Sequence, residues 1–211
     1  MLPFDPSEAI AHLSEVDPIL GAWIAKAGAF DLTLKPSASP WEGLTESIVY
    51  QQLSGKAAAT IYGRFRALFA DTAHPTPAQV LAFPDEILRS VGLSQNKMLA
   101  IKDLAQKTAA GIVPSMEDIH QMNDEDIKAA LTQVRGIGEW TVEMLLMFNL
   151  GRPNVLPIHD LGVRKGFMLT YGLNELPKPK SLAEFGEKWR PFRSVASWYL
   201  WRATDNPDGR S

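Results

Sequence analysis

The sequence predicts an all-α protein, an orthogonal bundle of about ten short helices read from their start and stop signals. Three observations carry this. Apolar residues recur at helical spacing, as in Gln95–Ala110, where Met98, Ile101, Leu104, Ala105 and Thr108 fall on one face. Segment after segment stops on a glycine, at Gly92, Gly111, Gly151 and Gly172. No stretch alternates apolar and polar residues as a half-buried strand would, and no repeat of fixed period is present. Many short helices with short connectors suit orthogonal packing better than a coiled coil.

In chain order, Asp5 or Ser7 caps a first short helix and Ile19–Lys26 forms a second. Phe30–Leu34 and Asn154–Leu156 are the only segments that could be extended. Ser37–Pro40 reads as a connector, and Leu44–Gln52 and Ala57–Phe69 as helices. Asp71–Pro77, with two prolines, reads as loop. Asp85–Val91, Gln95–Ala110 and Glu117–Met122 follow, then Asp124–Val134, with Asn123 as its cap and acidic residues in its first turn. Glu139–Leu150 and Leu161–Tyr171 are the next helices. Pro177–Lys180 reads as a stiff linker before Ser181–Trp189 and Phe192–Ala203. The Asn206–Ser211 tail alone reads as disordered.

The 211 residues fit one domain or two small lobes sharing a core. At 45% hydrophobic and 21% charged, the balance is that of an ordinary globular protein. With no cysteine, the chain has no disulfide, no cysteine-ligated zinc and no cysteine-ligated iron–sulfur cluster. No apolar run reaches the length of a membrane span, and Met1–Pro6 does not read as the start of a signal peptide, so the expectation is an intracellular protein without a membrane partner. The formal net charge is −3. That disfavours a nucleic-acid binder unless a local patch, or backbone N–H groups aimed at a phosphate, supplies the grip.

The segment richest in chemistry is Leu131–Thr141. A helix ends near Val134, a tight Gly136-Ile137-Gly138 hairpin follows, and a new helix begins. Glycines there permit positive φ and close approach of another backbone, and the N–H groups of the turn and the new helix form an anion site. Ile137 anchors the hairpin in the core. Gly-Ile-Gly by itself reads rather as a plain packing joint. Asp160, 22 positions after Gly138, stands just ahead of a helix and by itself reads as an N-cap.

Taken together, these stretches resemble a family. Val134-Arg-Gly-Ile-Gly-Glu-Trp-Thr141, then Gly151-Arg-Pro-Asn154, then Pro157-Ile-His-Asp-Leu-Gly-Val-Arg164 look like the hairpin, Gly/Pro-rich loop and aspartate of the helix–hairpin–helix DNA glycosylase superfamily. The AlkA-like 3-methyladenine DNA glycosylase II branch is the most similar. Ile48-Val-Tyr-Gln-Gln-Leu-Ser54, Val91-Gly-Leu-Ser94 with Lys97, and Lys188-Trp-Arg-Pro-Phe-Arg-Ser194 with Trp201 agree, so the resemblance runs from about Pro40 to Asp205. It implies a single glycosylase domain with a helical lobe over 40–135, a second lobe of 1–39 plus 136–211, and the hairpin at 131–141 beside the cleft.

The resemblance also assigns roles. Asp160 is the catalytic carboxylate, steadying the oxocarbenium-like sugar as the glycosidic bond breaks. Val134, Gly136, Ile137, Gly138 and Thr141 form the DNA-binding hairpin, with a monovalent cation accommodated at the carbonyls of Thr132, Val134 and Ile137. Trp140 and Trp201 line the base pocket, while Met144 and Leu161 fall where the bacterial prototype has tyrosines. Trp140 also stands where bifunctional members carry a nucleophilic lysine, implying hydrolysis with no lyase step. Gln52 or, second, Leu53 is the wedge that fills the space left by a flipped base; a capping role for the glutamine pair fits as well. Trp198 and Tyr199 read as core. His159 has a structural or phosphate-contact role, and Lys188, Arg190, Arg193 and Arg202 face either phosphates or solvent. The implied partner is double-stranded DNA containing damaged bases, bound by a monomer with no cofactor and no obligatory protein partner. Two other readings compete: a non-catalytic helix–hairpin–helix clamp, which has no use for Asp160, and an all-α interaction protein in which both motifs are packing features.

Overall fold

The computed structural model describes residues 2–35, 37–69, 72 and 74–205. Every regular element among them is helical, in thirteen α-helices, one π turn and one 3₁₀ turn. Residues 71 and 73 of the expected loop and the Asn206–Ser211 tail lie outside the described residues. The chain folds as two compact units, Met1–Lys35 with Leu146–Ser211, and Pro36–Leu145.

The first unit holds α1 (Pro6–Val16), α2 (Pro18–Ala27), and later α11 (Leu161–Thr170), α12 (Pro179–Phe185) and α13 (Arg193–Asp205). Asp5 caps α1 by accepting the Ser7 N–H, and Asp17 caps α2 by accepting that of Leu20. The axis of the unit is the crossing of α11 and α13. Gly166 makes it possible, because a Cβ there would lie 1.8 Å from the Leu200 carbonyl oxygen. Around the crossing pack Leu13, Leu20, Val163, Phe167, Trp189 and Tyr199; Trp198 and Tyr199 are core, as expected.

Asp17 is the polar centre of this core. Only 2% exposed, it accepts hydrogen bonds from the Tyr171 hydroxyl at 2.5 Å and Trp189 Nε1 at 2.8 Å, and pairs with Lys188 Nζ at 3.0 Å. Burial pushes its carboxyl up, but these donors and the Leu20 N–H outweigh burial and hold it below the ordinary 3.8.

The second unit runs α3 (Pro40–Tyr50), α4 (Gly55–Ala67), α5 (Pro77–Ala82), α6 (Asp85–Ser90), α7 (Gln95–Ala109), α8 (Met116–Gln121), α9 (Asp124–Leu131) and α10 (Glu139–Met144). Helix α7 is its spine and packs on α3, α5 and α6. Asn123 caps α9 as expected, accepting the Asp126 N–H at 2.8 Å.

Several expectations need correcting. Ser37–Pro40 is not merely a connector, because Ser39 caps α3 and Pro40 is its first residue. Thr76 and Pro77 start α5, a helix absent from the sequence reading, through a capping box with Gln79. Half of the supposed Pro177–Lys180 linker is the first turn of α12, which itself gives way to a 3₁₀ turn at Gly186–Trp189. In each case proline sits where its missing N–H costs nothing. Glu139–Leu150 is not one α-helix, since it passes into a π turn at Leu145–Asn149. Phe30–Leu34 and Asn154–Leu156, the segments that could be extended, lie outside the helices and are in no sheet.

Candidate DNA-repair site

In the second unit, α9 ends at Leu131 and the chain turns through Thr132–Gly138 into α10. Ile137 is buried, and its N–H closes the turn on the Val134 carbonyl at 3.1 Å. The two glycines differ. Gly136 needs its positive φ of 76°, whereas Gly138 is extended, at φ −97° and ψ 171°, and a Cβ there would meet nothing within 4 Å. Nothing inside the fold therefore requires a glycine at 138. Gly138 is also the N-cap of α10, and no side chain caps that end. An anion on the backbone N–H groups would complement it.

Next to the hairpin is a cleft of about 510 Å³, lined by Ser47, Tyr50, Gln51 and Gln52 on one side and Gly136, Trp140, Thr141 and Met144 on the other. Trp140 is 48% exposed, high for the largest apolar side chain. Tyr50, at the end of α3, belongs to this cleft although the sequence reading gave it no role.

The chain leaves α3 in a tight turn closed by the Leu53 N–H on the Tyr50 carbonyl at 3.3 Å. Gln51 has φ −51° and ψ 130°, and Gln52 has φ +56°. These are dihedrals of a type II turn, in which glycine or asparagine usually takes the third position. Gln52 is the only non-glycine residue with positive φ among those described. Its side chain is exposed, as is that of Leu53, but Gln52 borders the cleft and Leu53 does not. Gln51 is the residue that caps α3, and its Nε2 donates to the Gly136 carbonyl at 3.0 Å.

In the first unit, Asp160 is the N-cap of α11. Its Oδ1 accepts the Val163 N–H at 2.8 Å and the Trp201 Nε1–H at 2.8 Å. The indole fits there because residue 162 is glycine, where a Cβ would lie 2.7 Å from Trp201 Cδ1. Phe148, in the π turn, stands 5.8 Å from the Trp201 ring at an interplanar angle of 32°. The loop before Asp160 is tied to α13: Ser194 Oγ donates to the Arg152 carbonyl and accepts the Val155 N–H, and Arg193 bonds Asn154. Leu161 is 62% exposed beside Asp160, and His159 is exposed as well. Each of the C-terminal cations has an acidic partner within the fold. Lys188 pairs with Asp17, Arg190 and Arg193 with Glu187, and Arg202 with Asp205. Among the described residues no group of acidic, histidine or cysteine side chains could hold a metal ion.

A family model described as the HhH-GPD superfamily base excision DNA repair protein matches residues 45–191, a span that includes the hairpin, the turn after α3 and Asp160. The chain belongs to this superfamily. Its relatives include DNA-3-methyladenine glycosylase 1 of Schizosaccharomyces pombe, 34% identical over 96% of this chain and 89% of that protein. Among solved structures, the S. pombe 3-methyladenine DNA glycosylase in complex with abasic DNA is 33% identical, with a TM-score of 0.82 over 95% of this chain and 98% of that one. A DNA-3-methyladenine glycosidase from Bacillus halodurans is 34% identical, with a TM-score of 0.86 over 98% and 92% of the two chains. Membership of the superfamily sets aside the reading as an unrelated interaction protein.

Proposed function

We propose that this chain is a monofunctional glycosylase that releases alkylated purines, chiefly 3-methyladenine and 7-methylguanine, from double-stranded DNA. The observation that carries the reading is Asp160, a carboxylate fixed at a helix N-terminus by Val163 and Trp201 within the superfamily's span. Its relatives named for 3-methyladenine supply the substrate class.

In this reading the hairpin takes a DNA phosphate on the N–H groups at the start of α10; the carbonyls of Thr132, Val134 and Ile137 would hold a monovalent cation, whose charge would add to the attraction for that phosphate. Gln52 enters the stack as the target nucleotide swings out. Trp140 and Met144, at the cleft of the second unit, are assigned to contact with the base, as are Trp201 and Leu161 beside Asp160 in the first. Alkylation at N3 or N7 gives the ring a positive charge, which the indole faces attract and which makes the base a good leaving group. The C1′–N bond breaks, its electron pair leaves with the base, and Asp160 stabilises the positive sugar until water adds at C1′ and loses a proton. Trp140 offers no amine, so no Schiff base forms on that residue.

The test is base release from a panel of duplexes carrying 7-methylguanine, 3-methyladenine, hypoxanthine, ethenoadenine or 8-oxoguanine. Fast release of the methylated purines, an intact abasic strand and no borohydride-trapped adduct are expected. Tight binding with no release from any duplex would make the protein a clamp. A trapped adduct would point to another lysine, Lys165 first.

A further inference from the structure

One face of α7 touches both pieces of the DNA-binding apparatus in the second unit. Residues 97, 100, 103 and 107 are spaced three or four apart and so lie along one side of the helix. At one end, Lys97 Nζ donates to the Val49 and Gln51 carbonyls at 2.8 and 2.7 Å. Helix α3 has no basic residue in its last turn, so this ammonium is the cation at its negative end. Further along, Ala100 packs under Gly136, where a Cβ would come within 3.5 Å. Asp103 then accepts the Arg135 N–H at 2.7 Å, and Lys107 donates to the Gln133 carbonyl at 2.6 Å. The Gln51–Gly136 hydrogen bond closes the triangle from the other side.

The distribution of bonds has a purpose that stability alone does not supply. Almost all of them end on main-chain groups of the turn and the hairpin, so they fix backbone position. Burial lowers the pKa of Lys97, a cost of placing an ammonium there. The clamp on Gln51 also explains how Gln52 is kept in a left-handed conformation its side chain disfavours.

We infer that α7 is the spacer that sets the separation between the Gln52 turn and the hairpin, with Lys97 and Asp103 as its positioning residues. A turn that enters the stack is useful only at a fixed number of phosphates from the grip, and α7 supplies that length through about 1.5 Å of rise per residue. The inference rests on the proposed roles of Gln52 and the hairpin.

The test separates grip from insertion without requiring catalysis. Lys97→Met and Lys97→Arg are compared with wild type for affinity to an intact duplex and to the same duplex with a tetrahydrofuran abasic analogue. A neighbouring 2-aminopurine reports unstacking. Lys97→Met should keep intact-duplex affinity and lose about tenfold or more of the preference for the abasic analogue, with a smaller 2-aminopurine signal. Lys97→Arg, still able to donate to two carbonyls, should recover the preference to within about threefold. If Lys97→Met does not fold, Lys97→Gln, which keeps a donor for one of the two carbonyls, should give the same split in weaker form. An undiminished preference, or equal loss on both duplexes without rescue by arginine, overturns the inference. Should the wild type release no base from any lesion yet show a Lys97-dependent preference for the abasic duplex, the glycosylase reading falls and the spacer stands.

Discussion

The Val163 N–H and the Trp201 Nε1–H both meet Asp160 on Oδ1, and this decides what substitution would do. Asn at 160 keeps an oxygen for the Val163 N–H, so α11 stays capped, but removes the negative charge beside the sugar. Asp160→Asn should lower single-turnover release of 7-methylguanine by about a hundredfold or more with Tm nearly unchanged. Excision within a few-fold of wild type would remove Asp160 from the chemistry. Trp201 has a second role beyond stacking, because its indole N–H steadies the carboxylate. Trp201→Phe keeps a flat face and deletes that bond. It should slow excision of charged and neutral lesions alike, by about tenfold, the scale of one hydrogen bond to a charged group, whereas Trp201→Ala should cost charged lesions more through lost cation–π attraction. A phenylalanine variant impaired only on charged lesions would show that the hydrogen bond is idle. Asp160 was legible in the sequence as a carboxylate just ahead of a helix. Its bond to Trp201 was not, since 41 residues separate the two and no periodicity links them. Gly162 was hidden too: glycine in a helix reads as a propensity cost, and only the indole packed against it gives the reason.

At the scale of elements, the stop signals were read better than the starts. Glycine at a helix end has one common meaning, whereas proline ends one segment and opens another. Hence Pro40, Pro77 and Pro179 read in sequence as connector, loop and linker although each is the first residue of a helix. The turn after α3 was misplaced for a related reason. A helical pattern continues through Gln51 and Gln52, and φ of +56° at a glutamine leaves no trace in sequence. That conformation gives a prediction. Gln52→Gly should leave stability unchanged or raise it by up to about 1 kcal/mol, because glycine adopts the turn without strain. It should also weaken binding to the abasic-analogue duplex, since nothing is left to fill the gap. Loss of Tm with undiminished binding would make residue 52 a purely structural position. The hairpin glycines separate in the same manner. Gly138 is extended with open space around it, so Gly138→Val should fold normally and lose affinity for all duplexes equally, phosphate contacts being blind to sequence. Unchanged duplex affinity would reduce the hairpin to a packing joint.

Across the whole molecule, the all-α class was legible because helical periodicity is local, while the contacts that build each unit are not. Trp23 Nε1 donates to the Tyr199 carbonyl 176 positions away, and Tyr171 and Trp189 reach Asp17 across 154 and 172. Read in sequence, Asp17 is one more residue before a proline. In the structure it is a buried charge on which α2, the end of α11 and the 3₁₀ turn converge. Its effect on stability has a definite pH dependence. The folded-state pKa lies below the ordinary 3.8, so the folded protein binds the proton more weakly than the unfolded chain does. The stabilisation is complete above about pH 4 and is lost as pH falls through the lowered folded-state value. Asp17→Asn removes the charge facing Lys188 and turns an N–H donor toward the Tyr171 hydroxyl and Trp189 N–H, which already donate. The cost at neutral pH should be about 3 kcal/mol, as for a broken buried pair. Urea unfolding at a series of pH values checks both parts. Wild type should lose stability relative to Asp17→Asn only as pH drops below about 4, so that the two curves converge in acid. Curves that stay parallel down to pH 2 would mean that the hydrogen bonds around Asp17 do not depend on its charge.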